Sequence, residues 1–286
     1  QIVITTGSSP GFSLAFLAAF DVGDRVALAA PGYPAYKNIL HALCLDAVMI
    51  ETGPETRFQP TVEVLEQYFA SGGDALDGLI VASPANPTGT MLDEGSLRAL
   101  AKYCQERGIR LISDEIYHGI SYSMKCHSAL EFSRSPIVVN SFSKYFSMTG
   151  WRLGWMVVPE DLVRQVECLA QNLYISAPTV SQIAGVAAFD CCEELDGLVS
   201  GYASRRSLLL ETLPQAGFIC PAPADGAFYV YADASRLTND SAAFCTRMLD
   251  EIGVAATPGL DFDPGRGHKF VRFSFAGQQR EIAEAG

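Results

Sequence analysis

Short runs that are apolar throughout recur along this chain, and helical patterns separate them. The runs are Ile2–Thr5, Val26–Ala30, Ala47–Ile50, Gly78–Ser83, Ile109–Ser113, Ile137–Asn140 and Leu153–Val158. A strand with one face in water alternates apolar and polar residues, so a strand apolar on both faces must be buried on both. Helical patterns fit the intervals at about 12–25, 35–43, 61–70, 93–107 and 160–170. Strands joined by crossover helices pair in parallel. The prediction is an α/β fold: a mostly parallel sheet with helices on both faces. A long helical stretch follows from Ser181 to about Leu213, with a break near Glu193–Asp196. The texture then changes to strands at Gly217–Cys220, Ala227–Ala232 and Phe270–Phe275, with one helix at about 240–252. This predicts a smaller α+β C-terminal domain. The expected division is 1–196 for the large domain and 197–286 for the small one.

Composition narrows the class. The 286 residues are 49% hydrophobic, ample for one large or two modest cores. No apolar run reaches the roughly 18 residues of a membrane span, so no membrane association is expected. A formal charge of −12 disfavours nonspecific nucleic-acid binding. The eight cysteines include no Cys-x-x-Cys, which fits a reducing, cytoplasmic setting. The four histidines lack zinc-ligand spacing, so no metal is expected.

The most specific segment is Ser141-Phe-Ser-Lys144-Tyr-Phe-Ser-Met-Thr-Gly-Trp-Arg152-Leu-Gly154. Lys144 follows a buried strand, where desolvation lowers an amine's pKa and favours Schiff-base formation with an aldehyde. Arg152 offers a planar fork of donors suited to a phosphate dianion, and Ser141 can add a hydroxyl donor. Four other segments also follow strands: Thr6-Gly7-Ser8-Ser9-Pro10-Gly11, Pro31-Gly-Tyr33, Ser83-Pro-Ala-Asn86-Pro-Thr-Gly89 and Ser113-Asp114-Glu-Ile-Tyr117. The first opens a helix, and backbone N–H groups at a helix start bind phosphate readily. Gly7, Tyr33, Asn86, Asp114 and Lys144 therefore share the carboxyl edge of the sheet, where open α/β sheets bind ligands. In Phe270-Val-Arg272-Phe, alternation puts Arg272 on the face opposite Val271 and Phe273.

Together these segments resemble the class I/II, fold type I, aminotransferases that depend on pyridoxal 5'-phosphate. The likeness runs from about Val3 to Ala276. It implies that Lys144 holds the cofactor, that Asp114 pairs with the protonated pyridine nitrogen, and that Tyr117 and Asn86 reach the ring oxygen. It implies that Tyr33 stacks on the ring, that Gly7, Ser8, Ser9, Ser141 and Arg152 grip the phosphate, and that Arg272 and Asn86 bind the substrate carboxylate. Catalysis would fall to Lys144, Asp114 and Tyr117, with an amino acid and a 2-oxo acid as substrates and a homodimer as the full-length form. The chain opens on what reads as a core strand and ends on an opening helix, so it is expected to be a fragment lacking both family termini. The acidic Asp261-Phe-Asp263 before the Arg272 strand departs from the family pattern.

Rival readings are a fold type I lyase or decarboxylase, and an aminotransferase-like sensor domain of a transcription regulator. A serine-hydrolase elbow at Gly7-Ser-Ser9-Pro-Gly11 fails on its own chemistry. Its oxyanion hole needs the N–H of residue 10, which is a proline.

Overall fold

Successive residues of the central strands send side chains to opposite faces, and each face meets its own layer of helices. The computed structural model describes residues 1–285. The strands of the larger sheet are β1 (Ile2–Thr5), β2 (Arg25–Ala30), β3 (Asp46–Glu51), β4 (Gly78–Ala82), β5 (Arg110–Asp114), β6 (Ile137–Ser141) and β7 (Gly154–Val157). Their order is β1-β7-β6-β5-β4-β2-β3. The run from β6 to β3 is parallel, while β7 is antiparallel to both β6 and β1. On one face Val26, Leu28, Ile80, Ile112 and Val139 pack under α1 (Ser8–Ala19), α2 (Pro34–Ala42) and α5 (Val163–Leu173). On the other, Ala27, Leu79, Val81, Leu111 and Val138 pack under α3 (Val62–Ala70) and α4 (Glu94–Arg107). The expected mostly parallel, two-sided α/β sheet is present.

Local chemistry places the helix ends. Thr61 and Asp93 cap α3 and α4 by accepting the N–H groups of Val64 and Ser96, at 3.3 and 2.8 Å. Such a cap contributes about 1 kcal/mol. Gly108 ends α4 in the left-handed region at φ 70°, which glycine enters without a Cβ penalty.

Beyond α6 (Thr179–Ala188), α7 (Cys192–Gln215) leads into a second, antiparallel sheet. Its order is β8 (Tyr229–Asp233), β10 (Phe270–Ser274), β9 (Thr257–Pro258). The helices α7, α8 (Ser241–Ile252) and α9 (Gln279–Ala285) cover it through Leu209, Leu213, Cys245 and Ile282.

Several expectations need correction. β1 is an edge strand rather than a core strand, and Ile2 is 66% exposed. α1 begins at Ser8 rather than near residue 12, since Gly7 adopts the cap conformation and Pro10 suits a first turn. The helical break falls at Phe189–Cys191, a short 3₁₀ turn, and not at residues 193–196. Gly217–Cys220 contributes only an isolated bridge, Ile219 to Asp233. β9 was not anticipated, because two residues carry no periodicity. α7 itself crosses residue 196 and joins the two expected parts as one continuous helix.

Candidate active site

Lys144 stands three residues past β6, in a loop folded onto Phe142, Met148 and Leu153. Thr149 Oγ1 closes the loop on the Ser143 carbonyl at 2.7 Å. The Lys144 ammonium lies 5.5 Å from the Tyr117 ring centre and 5.6 Å from that of Phe228. Burial lowers its pKa; Asp114 opposes that shift, and Arg272 and Arg152 add to it. Lys144 therefore gives up its proton more readily than an exposed lysine.

Asp114 ends β5 and is 4% exposed. Its Oδ1 accepts the Ile116 N–H at 3.0 Å, and its Oδ2 accepts the Tyr36 hydroxyl. Burial raises its carboxyl to about 6, against the lowering effect of those hydrogen bonds and of Lys144. Tyr36 is held edge-on by Phe12 and Tyr33, at ring separations of 5.0 and 5.4 Å. The Tyr117 and Tyr229 hydroxyls share a hydrogen bond of 2.8 Å.

The smaller sheet supplies Arg272. Its Nη1 donates to Asn86 Oδ1 at 2.8 Å and its Nη2 to Thr257 Oγ1 at 3.1 Å. Its Nε is buried without a partner. At the opposite wall, α1 starts at Ser8 with no side chain capping it. Gly7 has φ 107°, and a Cβ there would lie 2.5 Å from Arg152 Nη2. The absence of a side chain at Gly7 lets the guanidinium pack onto the helix start.

These groups line one cavity of about 280 Å³. It gathers Ser8, Ser9, Tyr33, Asn86, Asp114, Tyr117, Lys144, Arg152 and Arg272 from the expected set. Gly7 and Ser141 do not line it. Ser141 is buried behind the wall, with its hydroxyl 2.9 Å from Ser143 Oγ and 3.1 Å from the Leu153 carbonyl. Ser143 lines the cavity in its place. The sequence reading missed Tyr36, Ser143, Thr149 and Tyr229 as lining residues. Tyr36, Ser143 and Thr149 lie inside or beside segments singled out above and Tyr229 lies in the run Ala227–Ala232, so facing was the missing information.

A profile of the family "Aminotransferase class I and II" matches residues 1–285. This chain is a class I/II aminotransferase. It is 54% identical to a valine–pyruvate aminotransferase of Mycobacterium tuberculosis, over 99% of this chain and 73% of that one. The crystal structure of an aminotransferase from Mycobacterium tuberculosis superposes with a TM-score of 0.95, at 54% identity, covering 99% of this chain and 73% of that chain. A double mutant of Thermus thermophilus aspartate aminotransferase reaches 0.91 at 30% identity, covering 100% of this chain and 74% of the other. The aminotransferase has the fold type I architecture, and its reaction moves an amino group between an amino acid and a 2-oxo acid. Neither the lyase, the decarboxylase nor the sensor reading finds support in these relatives.

Proposed function

We propose that the cavity holds pyridoxal 5'-phosphate and that the residues lining it divide the work of transamination. The carrying observation is one cavity that joins a buried amine, a buried carboxylate and an arginine at a helix start. The donor set fits the group. Arg152 and the N–H groups of Ser8 and Ser9 suit a phosphate dianion, with the Ser143 and Thr149 hydroxyls beside them. Asp114, desolvated and aimed inward, suits a protonated ring nitrogen. Bound there, the cofactor supplies an aldehyde that condenses with amines and a ring that withdraws electrons from the substrate α-carbon.

Asp114 would pair with a protonated ring nitrogen, and Tyr36 keeps Asp114 in place. Tyr33 would lie against the ring. Asn86 accepts from Arg272 through its oxygen, which leaves its amide N–H groups for the ring oxygen beside Tyr117. Arg272 binds the substrate carboxylate. Lys144 Nζ would hold the cofactor, and the same amine, in its neutral form, would take the proton from the substrate α-carbon. Residues 1–196 thus hold the cofactor, and 197–286 bring the carboxylate-binding arginine.

The cations lining the cavity are Lys144, Arg152 and Arg272, and each has a task already. A neutral, small aliphatic amino acid such as valine, with pyruvate as acceptor, fits both that lining and the Mycobacterium tuberculosis relative. A homodimer fits the bare side of α6 and its 3₁₀ extension, where Val180, Ile183, Val186 and Phe189 are each more than half exposed. Free thiols throughout fit the cytoplasm.

In the full-length protein, borohydride should fix the cofactor onto Lys144, and Lys144→Ala should abolish turnover. Initial-rate plots for valine and pyruvate should be parallel, as a ping-pong scheme requires. A wild-type protein that yields no borohydride adduct at Lys144 would contradict the proposal.

A further inference from the structure

Arg272 belongs to the smaller sheet, while Asn86, its partner, lies in the turn that follows β4 of the larger one. The segment between β9 and β10 ties the two together. The Phe262 carbonyl accepts the Gly32 N–H at 3.0 Å, and Arg266 Nη2 donates to the Ala30 carbonyl at 2.6 Å. Both attachments lie at the carboxyl end of β2, next to Tyr33. Asp263, 5% exposed, braces the segment from inside. Its Oδ1 accepts the Gly265 and Arg266 N–H groups, each at 3.0 Å, and its Oδ2 accepts Arg266 Nε at 2.8 Å. The acidic pair flanking Phe262 therefore includes one internal brace.

From this segment the buried Phe262 ring meets the Arg272 guanidinium at 4.8 Å, and the Tyr229 ring meets it at 4.4 Å. Contact with aromatic faces holds a guanidinium in a chosen plane at little cost in donors. Two rings and two hydrogen bonds leave Arg272 little freedom to turn.

We infer that Phe262, held on β2 by the Asp263–Arg266 brace, is a positioning residue that aims Arg272 at the substrate carboxylate. The inference rests on the role proposed above for Arg272. It separates carboxylate recognition from cofactor chemistry, so two small probes distinguish the effects. Aminooxyacetate carries a carboxylate and hydroxylamine does not, while both capture the cofactor's aldehyde carbon through the same kind of nitrogen.

The experiment follows cofactor absorbance by stopped flow in the full-length holoenzyme and its Phe262→Leu, Phe262→Tyr and Asp263→Asn variants. Phe262→Leu should slow aminooxyacetate by about tenfold and leave hydroxylamine unchanged. KM for the amino acid and for the oxo acid should rise by a common factor, with kcat within about twofold of wild type. Phe262→Tyr should restore the aminooxyacetate rate. Asp263→Asn should reproduce the selective loss, and it tests the brace even where Phe262→Leu folds poorly. Equal slowing of both probes, or no slowing of aminooxyacetate, overturns the inference while the cofactor reading stands. A wild-type protein that takes up no cofactor overturns both.

Discussion

Asp114 is a carboxyl that burial holds near 6, far above its value in an unfolded chain. The folded state takes up this proton as pH falls through 6, while the unfolded chain does so only near 3.9. Its contribution to stability is therefore lowest above 6 and grows as pH falls toward 4. In the cofactor-free protein, wild type should gain on Asp114→Asn by about 3 kcal/mol across that window, at about 1.4 kcal/mol per pH unit. Urea unfolding of both proteins between pH 4 and 7 measures it, and a gain in the opposite direction refutes the assignment. The Tyr36 hydroxyl should matter through the same carboxylate. Tyr36→Phe removes one hydrogen bond to a charged group, worth about 1.5–3 kcal/mol, and should weaken cofactor binding by at least about tenfold. In an Asp114→Asn background the same change should cost much less, which a fluorescence titration with pyridoxal phosphate would show. Sequence alone brought out Asp114 but not Tyr36, since their hydrogen bond joins positions 78 residues apart. A partnership that long-range leaves no local pattern.

At the scale of elements, the start of α1 concentrates the constraint. Gly7 combines φ 107° with a space that Arg152 already fills. Gly7→Ala should lower stability by about 1–3 kcal/mol and loosen the phosphate grip together. Thermal melting reads the first effect and cofactor titration the second; an unchanged cofactor affinity would show that the arginine repositions freely. The Gly7 turn, the Lys144 segment and the Asn86 turn were all legible because glycine, proline and hydroxyl residues mark them. The end of the α6 region was not. Glu193 and Glu194 look like an interruption, yet they occupy the first turn of α7, where acidic residues favour the helix dipole.

For the whole molecule, the homodimer proposed above would cover the bare apolar side of α6. Ile183→Glu in the full-length protein should shift sedimentation from dimer toward monomer, because it places a charge in a desolvated contact. Unchanged dimers after that substitution would move the interface elsewhere. The apolar runs determined a sheet buried on both faces, since only that arrangement removes two unbroken apolar surfaces from water. They could also order the site residues along one edge, because each follows a strand. Tertiary structure alone decided that β7 runs antiparallel, that β1 lies at the edge, and that Ser143 rather than Ser141 lines the cavity. It also decided that Phe262 rests on Arg272. Direction, order and facing depend on contacts between segments distant in the chain, and local hydrophobic patterns carry no record of which distant segment will be met.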